Sequence, residues 1–304
     1  MKSASDNPEK ILITPSSNSL HTAASTRHGD FIPIVGTRPI DMIGSNFVFF
    51  FGKPSIGKSV ILASMMYYMN AMVGTLRPRR ETPNTKEAEV LFFDMLDDIR
   101  RGRLPRRSTQ MQVTQLNFVF EPNNTSKKVV PINLTFLEIS GEDLQKVRRA
   151  GSFDRRIDEY LNADIPINFI LVTDYENMDE DDSLMISFLN EIEKKSRRFK
   201  MINAILLISK WDKSGDITVP DEDYLNDFIA EHMPMTNTQI DNHQLFKSYY
   251  TIGKISDKKD DEGNELIEQL NLSTAKMLTE WLYKGITKVD LNYEGTFWER
   301  LFGK

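Results

Sequence analysis

Apolar runs separated by turn-forming and charged segments dominate the chain from residue 47 onward. Residues 47–51 are a continuous apolar run, which is typical of a strand buried on both faces of a parallel sheet. Residues 59–72 follow a glycine-containing turn and are rich in Leu, Ala and Met without Gly or Pro, which predicts a helix. A strand, a turn and a buried helix in this order indicate the first unit of an α/β fold.

Five more strands are predicted by apolar runs at 112–120, 128–138, 167–173, 202–209 and 246–252. The first two are joined by a turn-rich Glu-Pro-Asn-Asn-Thr-Ser segment, which favours an antiparallel pair. Further helices are predicted at 183–198, 224–232 and 274–283. We therefore expect an α/β fold with a six-stranded, doubly wound, mostly parallel sheet that carries one antiparallel edge pair.

The segment 74–110 is long for a connection from a helix to a strand, so we expect it to carry structure of its own. Residues 86–101 can form a helix, and eight arginines fall between Arg77 and Arg107. Acidic residues are interleaved with them, which favours a solvated, charged lid. The predicted organisation is an N-terminal arm over 1–45, a domain over 46–286 that includes this lid, and a C-terminal tail over 287–304.

The composition narrows the classes of function. The chain of 304 residues is 40% hydrophobic and contains no cysteine, which excludes a disulfide framework and a thiol nucleophile and fits a cytoplasmic location. A formal net charge of -6 argues against nucleic acid as a partner. The longest apolar stretch, 60–73, is too short to span a bilayer, so we expect no transmembrane segment.

A phosphate-binding pattern begins directly after the first predicted strand. Residues 52–59 read Gly-Lys-Pro-Ser-Ile-Gly-Lys-Ser and match GxxxxGK[ST] in full, between a strand and a helix as the pattern requires. Such a loop turns backbone N–H groups toward phosphate oxygens, and we expect Lys58 to reach the β- and γ-phosphates and Ser59 to bind Mg²⁺. The predicted nucleoside-triphosphate site comprises Gly52, Lys53, Pro54, Ser55, Ile56, Gly57, Lys58, Ser59 and Val60.

A second motif closes the strand predicted at 202–209. It reads Ser209-Lys210-Trp211-Asp212, one residue away from the guanine signature NKxD. The Asp212 carboxylate can accept from both N1–H and the 2-amino group of guanine, whereas adenine presents the opposite pattern, and the stem of Lys210 can cover one face of the purine. Ser209 replaces the Asn that normally ties this loop to the phosphate loop, so we expect the tie to be lost and the affinity to be modest.

With these two motifs the chain resembles the Ras-like, translation-factor-related class of P-loop GTPases over about residues 47–283. The resemblance implies a G-domain-like P-loop fold, GTP or GDP as ligand and Mg²⁺ as cofactor. In that family a DxxG motif follows the third strand, and here Glu138 and Gly141 stand in its place. By this resemblance Glu138 would hold Mg²⁺ through water and the Gly141 N–H would turn toward the γ-phosphate. Glu142 stands where the family commonly has a water-orienting Gln, which implies slow hydrolysis or a Glu142 that is turned away.

The first switch of the family supplies a threonine before the second strand. Thr109 is the best candidate for this role as a Mg²⁺ ligand, and Ser108 is the alternative. Arg106 lies three residues before Thr109, a spacing similar to that of the arginine that heterotrimeric G-protein α subunits supply in cis for catalysis. Simple solvation of the lid by Arg106 and Arg107 stays open as the other interpretation. The surrounding residues 104–109 resemble prokaryotic double-GTPase-type domains.

Two more segments complete the sequence-based picture. Residues 251–254 fit the last guanine-binding element of the family loosely, and there the backbone N–H of Ile252 would serve guanine O6. The acidic run 179–182 is interpreted as the first turn of a helix rather than a calcium loop, because it lacks the spacing of such a loop.

The preferred function is a GTP-binding molecular switch with slow Mg²⁺-dependent hydrolysis. The alternatives are a pseudo-GTPase scaffold that binds nucleotide without turnover and a P-loop ATPase, which the motif around Asp212 disfavours. The arm, the insert and the aromatic tail give more surface than a minimal switch needs, so we expect protein partners. The aromatic residues of 297–302 either dock on the core or contact a partner or a membrane surface.

Overall fold

The computed structural model describes residues 44–79, 85–105, 116–138, 166–195, 202–215 and 219–295, and the single positions 158 and 161. The strands are β1 (Ser45–Phe51), β2 (Gly74–Pro78), β3 (Leu116–Pro122), β4 (Ile132–Glu138), β5 (Ile167–Asp174), β6 (Asn203–Ser209), β7 (Phe246–Tyr249), β8 (Gly253–Lys259) and β9 (Glu265–Leu270). The helices are α1 (Lys58–Tyr68), α2 (Thr85–Arg100), α3 (Met178–Lys195), α4 (Glu222–His232), α5 (Pro234–Asn242) and α6 (Ser273–Thr287). A π-helical turn, Met69–Val73, continues α1, and a 3₁₀ turn, Trp211–Ser214, follows β6.

Seven strands form one sheet in the order β2-β3-β4-β1-β5-β6-β7. The neighbours from β4 to β7 run parallel, whereas the pairs β2–β3 and β3–β4 are antiparallel. The predicted α/β fold with a mostly parallel sheet is confirmed. The sequence predicts six strands and one antiparallel pair, and the seventh strand, β2, adds a second pair at the edge. β2 escapes prediction because it is five residues long and Leu76 is its one buried hydrophobic side chain.

The apolar run at 47–51 is unbroken because both faces of the central strand β1 are buried. Phe47, Phe49 and Phe51 belong to one buried cluster, and Val48 and Phe50 belong to the cluster on the opposite face of the sheet. All five side chains are at most 1% exposed. Each buried side chain of this size stabilises the fold by roughly 1.5–3 kcal/mol, so β1 anchors both layers of the core.

Helices cover both faces of the sheet. Buried residues of α1, α2 and α6 share the cluster that contains Val48, and buried residues of α3, α4 and α5 share the cluster that contains Phe47. The domain therefore has three layers with the sheet in the middle, which confirms the doubly wound prediction. Among the described residues, none of the helices combines the length and apolar character that a membrane span requires.

The described part of the segment 74–110 is integrated into the domain. β2 pairs with β3, and α2 buries Phe92, Met95 and Ile99 in the same cluster as α1. Val90 and Phe93 of α2 face solvent. The described residues of this segment are therefore packed on the domain rather than solvated throughout, because apolar residues at i, i+3 and i+7 give α2 a face that packs on the core. Residues 80–84 and 106–110 of the predicted lid lie outside the described residues.

A hairpin that the sequence analysis did not predict lies between β7 and α6. Its strands β8 and β9 pair antiparallel outside the main sheet. The chain after α2 is attached to it, because Leu104 N–H donates to the Glu265 carbonyl and Arg103 Nε lies 2.9 Å from Asp260 Oδ2. The hairpin is strongly charged, which hides its alternating pattern, although the Gly263 turn is a signal that could have found it.

The start of the C-terminal tail is docked on the domain. Leu291 is 3% exposed, and the Asn124 side chain donates to the carbonyls of Leu291 and Tyr293. The aromatic residues at 297–302 and residues 1–43 of the N-terminal arm lie outside the described residues.

Candidate nucleotide-binding site

The predicted site residues follow strands that end at one edge of the sheet. The register pairs Phe50 with Glu138, Phe51 with Leu171 and Asp174 with Ser209, so the carboxyl ends of β1, β4, β5 and β6 lie side by side. Ligands of open α/β sheets bind outside such an edge. The phosphate loop follows β1 and the Ser209 motif follows β6, with only the end of β5 between them.

Glycine is required at both ends of the phosphate loop. Gly52 has a φ of 153°, and a Cβ at this position would overlap the carbonyl oxygen of Val172 on β5. Gly57 has a φ of 98° and immediately precedes α1. It supplies no capping side chain, and the first turn of α1 has no acidic residue. An uncapped helix N-terminus next to a glycine turn is a favourable position for an anion.

The side chain of Lys58 folds back over the loop. Its Nζ donates to the carbonyls of Gly52 and Lys53, at 2.8 Å in each case, and the residue is only 5% exposed. The positive charge is therefore fixed within the phosphate loop. Ser59 follows in the first turn of α1 and is partly exposed.

Ser209 ties residues 209–212 after β6, the candidate base loop, to the phosphate loop, which corrects the expectation that this tie is lost. Its hydroxyl lies 2.5 Å from the Ile56 carbonyl oxygen and 3.0 Å from the Thr173 carbonyl oxygen, and it donates its single proton to these acceptors. The two loops lie close enough for this short side chain to reach, since a Cβ on Gly57 would be in ordinary van der Waals contact with Ser209 Cβ at 3.8 Å. Serine thus replaces asparagine without loss of the contact.

The Lys210 side chain is held by a carboxylate that the sequence analysis missed. Lys210 Nζ lies 2.9 Å from Asp174 Oδ2, and the Asn177 side chain donates to Asp174 Oδ1 at 2.7 Å. Burial alone would raise the pKa of Asp174, but these hydrogen bonds and the charge of Lys210 outweigh it and lower the pKa. Asp174 therefore stays ionised and keeps Lys210 in place. Its position at the end of an apolar run was the signal that could have revealed it.

Asp212 is a partly desolvated carboxylate at the start of the 3₁₀ turn. Burial raises its pKa, and the nearby Lys213 and Lys210 offset this only in part. Hydrogen bonds from a ligand to the Asp212 carboxylate would therefore be favourable, because they would replace the water that burial removes. The turn is anchored by Trp211, which is 2% exposed, packs against Tyr175 and donates its backbone N–H to the Tyr250 carbonyl.

The third loop of the site is fixed from two sides. The hydroxyls of Tyr250 and Ser64 of α1 are 2.6 Å apart, and burial raises the pKa of Tyr250, which keeps the phenol protonated. Beyond it, Asn271 N–H donates to the Ile252 carbonyl, and the Thr274 hydroxyl donates to the Thr251 carbonyl. The segment that would present the Ile252 N–H is thus held between α1 and the start of α6.

The cation of Lys53 is engaged by α3. Lys53 Nζ lies 2.6 Å from Asp181 Oδ1 and 3.3 Å from Glu180 Oε2, both in the first turn of that helix. The prediction of an acidic first turn at 179–182 is confirmed. These contacts between distant segments were not predictable from local pattern.

Several predicted site residues lie outside the described residues. Glu138 ends β4 with its backbone beside Phe50 of β1, but its side chain is not described. The other switch residues lie wholly outside the described residues; they are Arg106, Arg107, Ser108, Thr109, Gly141 and Glu142. Their roles stay predictions.

The strand order, together with the glycine loop between β1 and α1, is that of a P-loop, G-domain-like α/β fold. Neither a protein-family model nor a curated protein matches the chain. Similar solved structures include a dimerization-deficient mutant of Toc33 from Arabidopsis thaliana, at 11% identity and a TM-score of 0.36, with 81% of this chain and 86% of that chain covered. Another is the GTP-bound Ski7 GTPase-like domain from S. cerevisiae, at 16% identity and a TM-score of 0.37, with 67% and 42% covered.

Proposed function

We propose that this chain is a cytoplasmic GTP-binding switch protein with slow, Mg²⁺-dependent GTP hydrolysis. The observation that carries the proposal is the direct contact between the phosphate loop and the base loop, made by the Ser209 hydroxyl on the Ile56 carbonyl. If the glycine loop before α1 were a chance turn, we would not expect a contact between it and a Lys-x-Asp loop. The contact supports one site that holds phosphates at one end and a base at the other.

In this proposal the phosphates lie over residues 52–60, and Lys58 neutralises the β- and γ-phosphate oxygens. The base lies against the stem of Lys210, whose head is held by Asp174. Asp212 accepts from N1–H and the 2-amino group of guanine, and the Ile252 N–H donates to O6. Guanine is favoured over adenine because adenine presents an acceptor at N1, which would face a carboxylate.

The donor set for Mg²⁺ consists of the Ser59 hydroxyl, Thr109 and Glu138. Hydroxyl and carboxylate oxygens are the ligands this ion prefers. Glu138 ends β4, and Ser59 lies in α1 after the neighbouring strand β1, so both are at the same edge of the sheet. When bound, the ion would neutralise charge on the β- and γ-phosphate oxygens. Gly141 would donate its N–H to the γ-phosphate, Glu142 would face the attacking water, and Arg106 would stabilise charge on the transferred group.

The test is calorimetric titration of the full chain with GTP, GDP and ATP in the presence and absence of Mg²⁺. We expect GTP and GDP to bind, ATP to bind at least about tenfold more weakly, and Lys58→Ala to abolish binding. Lys194→Ala is a matched control, because this exposed lysine pairs with Glu191 at the other end of α3. Preference of the wild type for ATP, or full GTP affinity in Lys58→Ala, would contradict the proposal.

A second candidate is a pseudo-GTPase scaffold that binds GTP without turnover. It is favoured by Glu142 at the second switch, where the family commonly has Gln, because a carboxylate beside a triphosphate is electrostatically unfavourable. Single-turnover hydrolysis separates the two candidates. If bound GTP is cleaved and Arg106→Ala slows the cleavage, the result supports the switch. If GTP stays intact after long incubation with Mg²⁺, the result supports the scaffold.

A further inference from the structure

Lys53 is the second residue of the phosphate loop, and its side chain contacts two acidic residues of α3. These contacts are not required for binding a phosphate ligand. Its Nζ lies 2.6 Å from Asp181 Oδ1 and 3.3 Å from Glu180 Oε2. Its side chain is 33% exposed, whereas that of Asp181 is 0% exposed. The ammonium group of Lys53 is therefore paired with the first turn of α3.

Asp181 is a buried carboxylate that depends on this cation. Its second oxygen, Oδ2, accepts from the Thr173 hydroxyl at 2.8 Å. A buried carboxylate is strongly unfavourable unless it is paired, so removal of Lys53 would leave an uncompensated charge. Burial alone would lower the pKa of Lys53, but Asp181 and Glu180 outweigh it and raise the pKa, so the lysine stays charged.

The other end of Lys53 holds the phosphate-binding lysine. The Lys53 backbone carbonyl accepts from Lys58 Nζ at 2.8 Å. Thr173, which contacts Asp181 through its hydroxyl, also accepts through its carbonyl from the Ser209 hydroxyl that reaches Ile56. Through Asp181 and Ser209, Thr173 at the end of β5 is therefore connected to the second and fifth residues of the loop, Lys53 and Ile56.

The anchor on α3 is itself rigid. Asp182, the neighbour of Asp181, accepts from the backbone N–H groups of Thr236 at 2.8 Å and Met235 at 3.2 Å. These are first-turn donors of α5, which has no capping side chain of its own at its N-cap. The first turn of α3 is thus held between the phosphate loop and α5, so it can fix the position of Lys53.

We propose that Lys53 is a positioning residue of the phosphate loop: its ion pair with buried Asp181 fixes the loop, and through the Lys53 carbonyl it fixes the ammonium of Lys58. The Lys53 side chain does not bind phosphate. This inference deepens the proposed nucleotide site and rests on it for the second of its two tests.

The first test needs no nucleotide. The variants are Lys53→Met, Asp181→Asn and the double variant, with Lys53→Arg as the conservative variant and Lys194→Met as the control. We expect Lys53→Met to lower the midpoint of thermal unfolding by about 5 °C. Backbone amides of residues 52–58 should exchange with solvent about tenfold faster. The double variant and Lys53→Arg should recover most of both losses, and the control should show neither.

The second test measures GTP and GDP affinity by calorimetry. We expect Lys53→Met to weaken both nucleotides about tenfold and the double variant to recover affinity, because the uncharged amide introduced by Asp181→Asn no longer needs the cation. A phosphate contact would instead make the double variant bind as weakly as Lys53→Met. That result, or an unchanged midpoint and unchanged amide exchange in the nucleotide-free Lys53→Met variant, would overturn the inference. If the wild type binds no nucleotide, the proposed function fails and the first test still decides the role of Lys53 in the loop.

Discussion

In the proposed function, single side chains decide which base is recognised. Asp212 sits at the start of a turn that Trp211 anchors, and Lys210 is held beside it by Asp174. In this proposal the specificity for guanine therefore depends on the Asp212 carboxylate, whose neighbours are fixed by these contacts. Ser209 shows how a substitution within a motif can keep its role, since the loops after β1 and β6 lie close enough for its short hydroxyl to reach the Ile56 carbonyl.

At this scale we predict that Asp212→Asn weakens GTP binding by about 2 kcal/mol and improves binding of xanthosine triphosphate. The substitution replaces an acceptor by a donor, and xanthine carries a carbonyl where guanine carries its amino group. Calorimetry with both nucleotides measures the exchange of preference. Asp221→Asn, an acidic residue that caps α4, is the control. Unaltered GTP affinity in Asp212→Asn would show that this carboxylate does not recognise the base.

At the scale of elements, the phosphate loop depends on how closely β1 and β5 lie together. The turn after β1 passes the Val172 carbonyl so closely that only glycine fits at position 52. The Ser55 residue within the same turn has a φ of 64°, a conformation that costs free energy outside glycine and that the surrounding contacts must hold. The local backbone is therefore a product of strand packing as much as of its own sequence.

We predict that Gly52→Ala destabilises the domain by about 2–4 kcal/mol and removes nucleotide binding. The added methyl group would overlap the Val172 carbonyl oxygen, a backbone atom that moves only with β5. Urea unfolding and GTP titration of the same variant measure both effects. Gly263→Ala is matched to it, since Gly263 also has a positive φ but has open space around it. Equal losses in the two variants would attribute the effect to backbone conformation rather than to the contact.

At the scale of the whole molecule, charged side chains join segments that are far apart in the chain. Lys210 and Asp174 connect β6 to β5, and Lys53 and Asp181 connect the phosphate loop to α3. Both carboxylates are at most 3% exposed. The pKa of Asp174 is lowered in the folded protein, so the stability of the domain is linked to the ionisation of this residue.

We predict that the contribution of Asp174 to stability is lost in acid. Its pKa in the folded protein is lowered below its ordinary value of 3.8, so the folded state favours the ionised form. The stabilisation is fully present above the unfolded-state pKa and disappears as the pH falls through the folded-state pKa. Urea unfolding between pH 7 and pH 3 should show a free-energy difference between the wild type and Asp174→Asn that narrows below about pH 4. A difference that is constant over this range would contradict the prediction.

Much of the fold and of the candidate phosphate loop is encoded in contiguous residues. The run over residues 47–51, the glycine loop and the apolar helix after it give a strand, a turn and a helix, because each depends on local periodicity and on backbone freedom at two glycines. The acidic start of α3 and the position of α2 also followed from such patterns.

Other features were decided by the tertiary structure alone. β2 is a strand because β3 offers it an edge, although its own sequence has one apolar residue to bury. Ser209 reaches Ile56 across 153 positions of the chain, and Lys53 reaches Asp181 because β5 lies next to β1 in the sheet. Strand order sets these neighbours, and strand order depends on how all the buried faces pack together rather than on any local pattern.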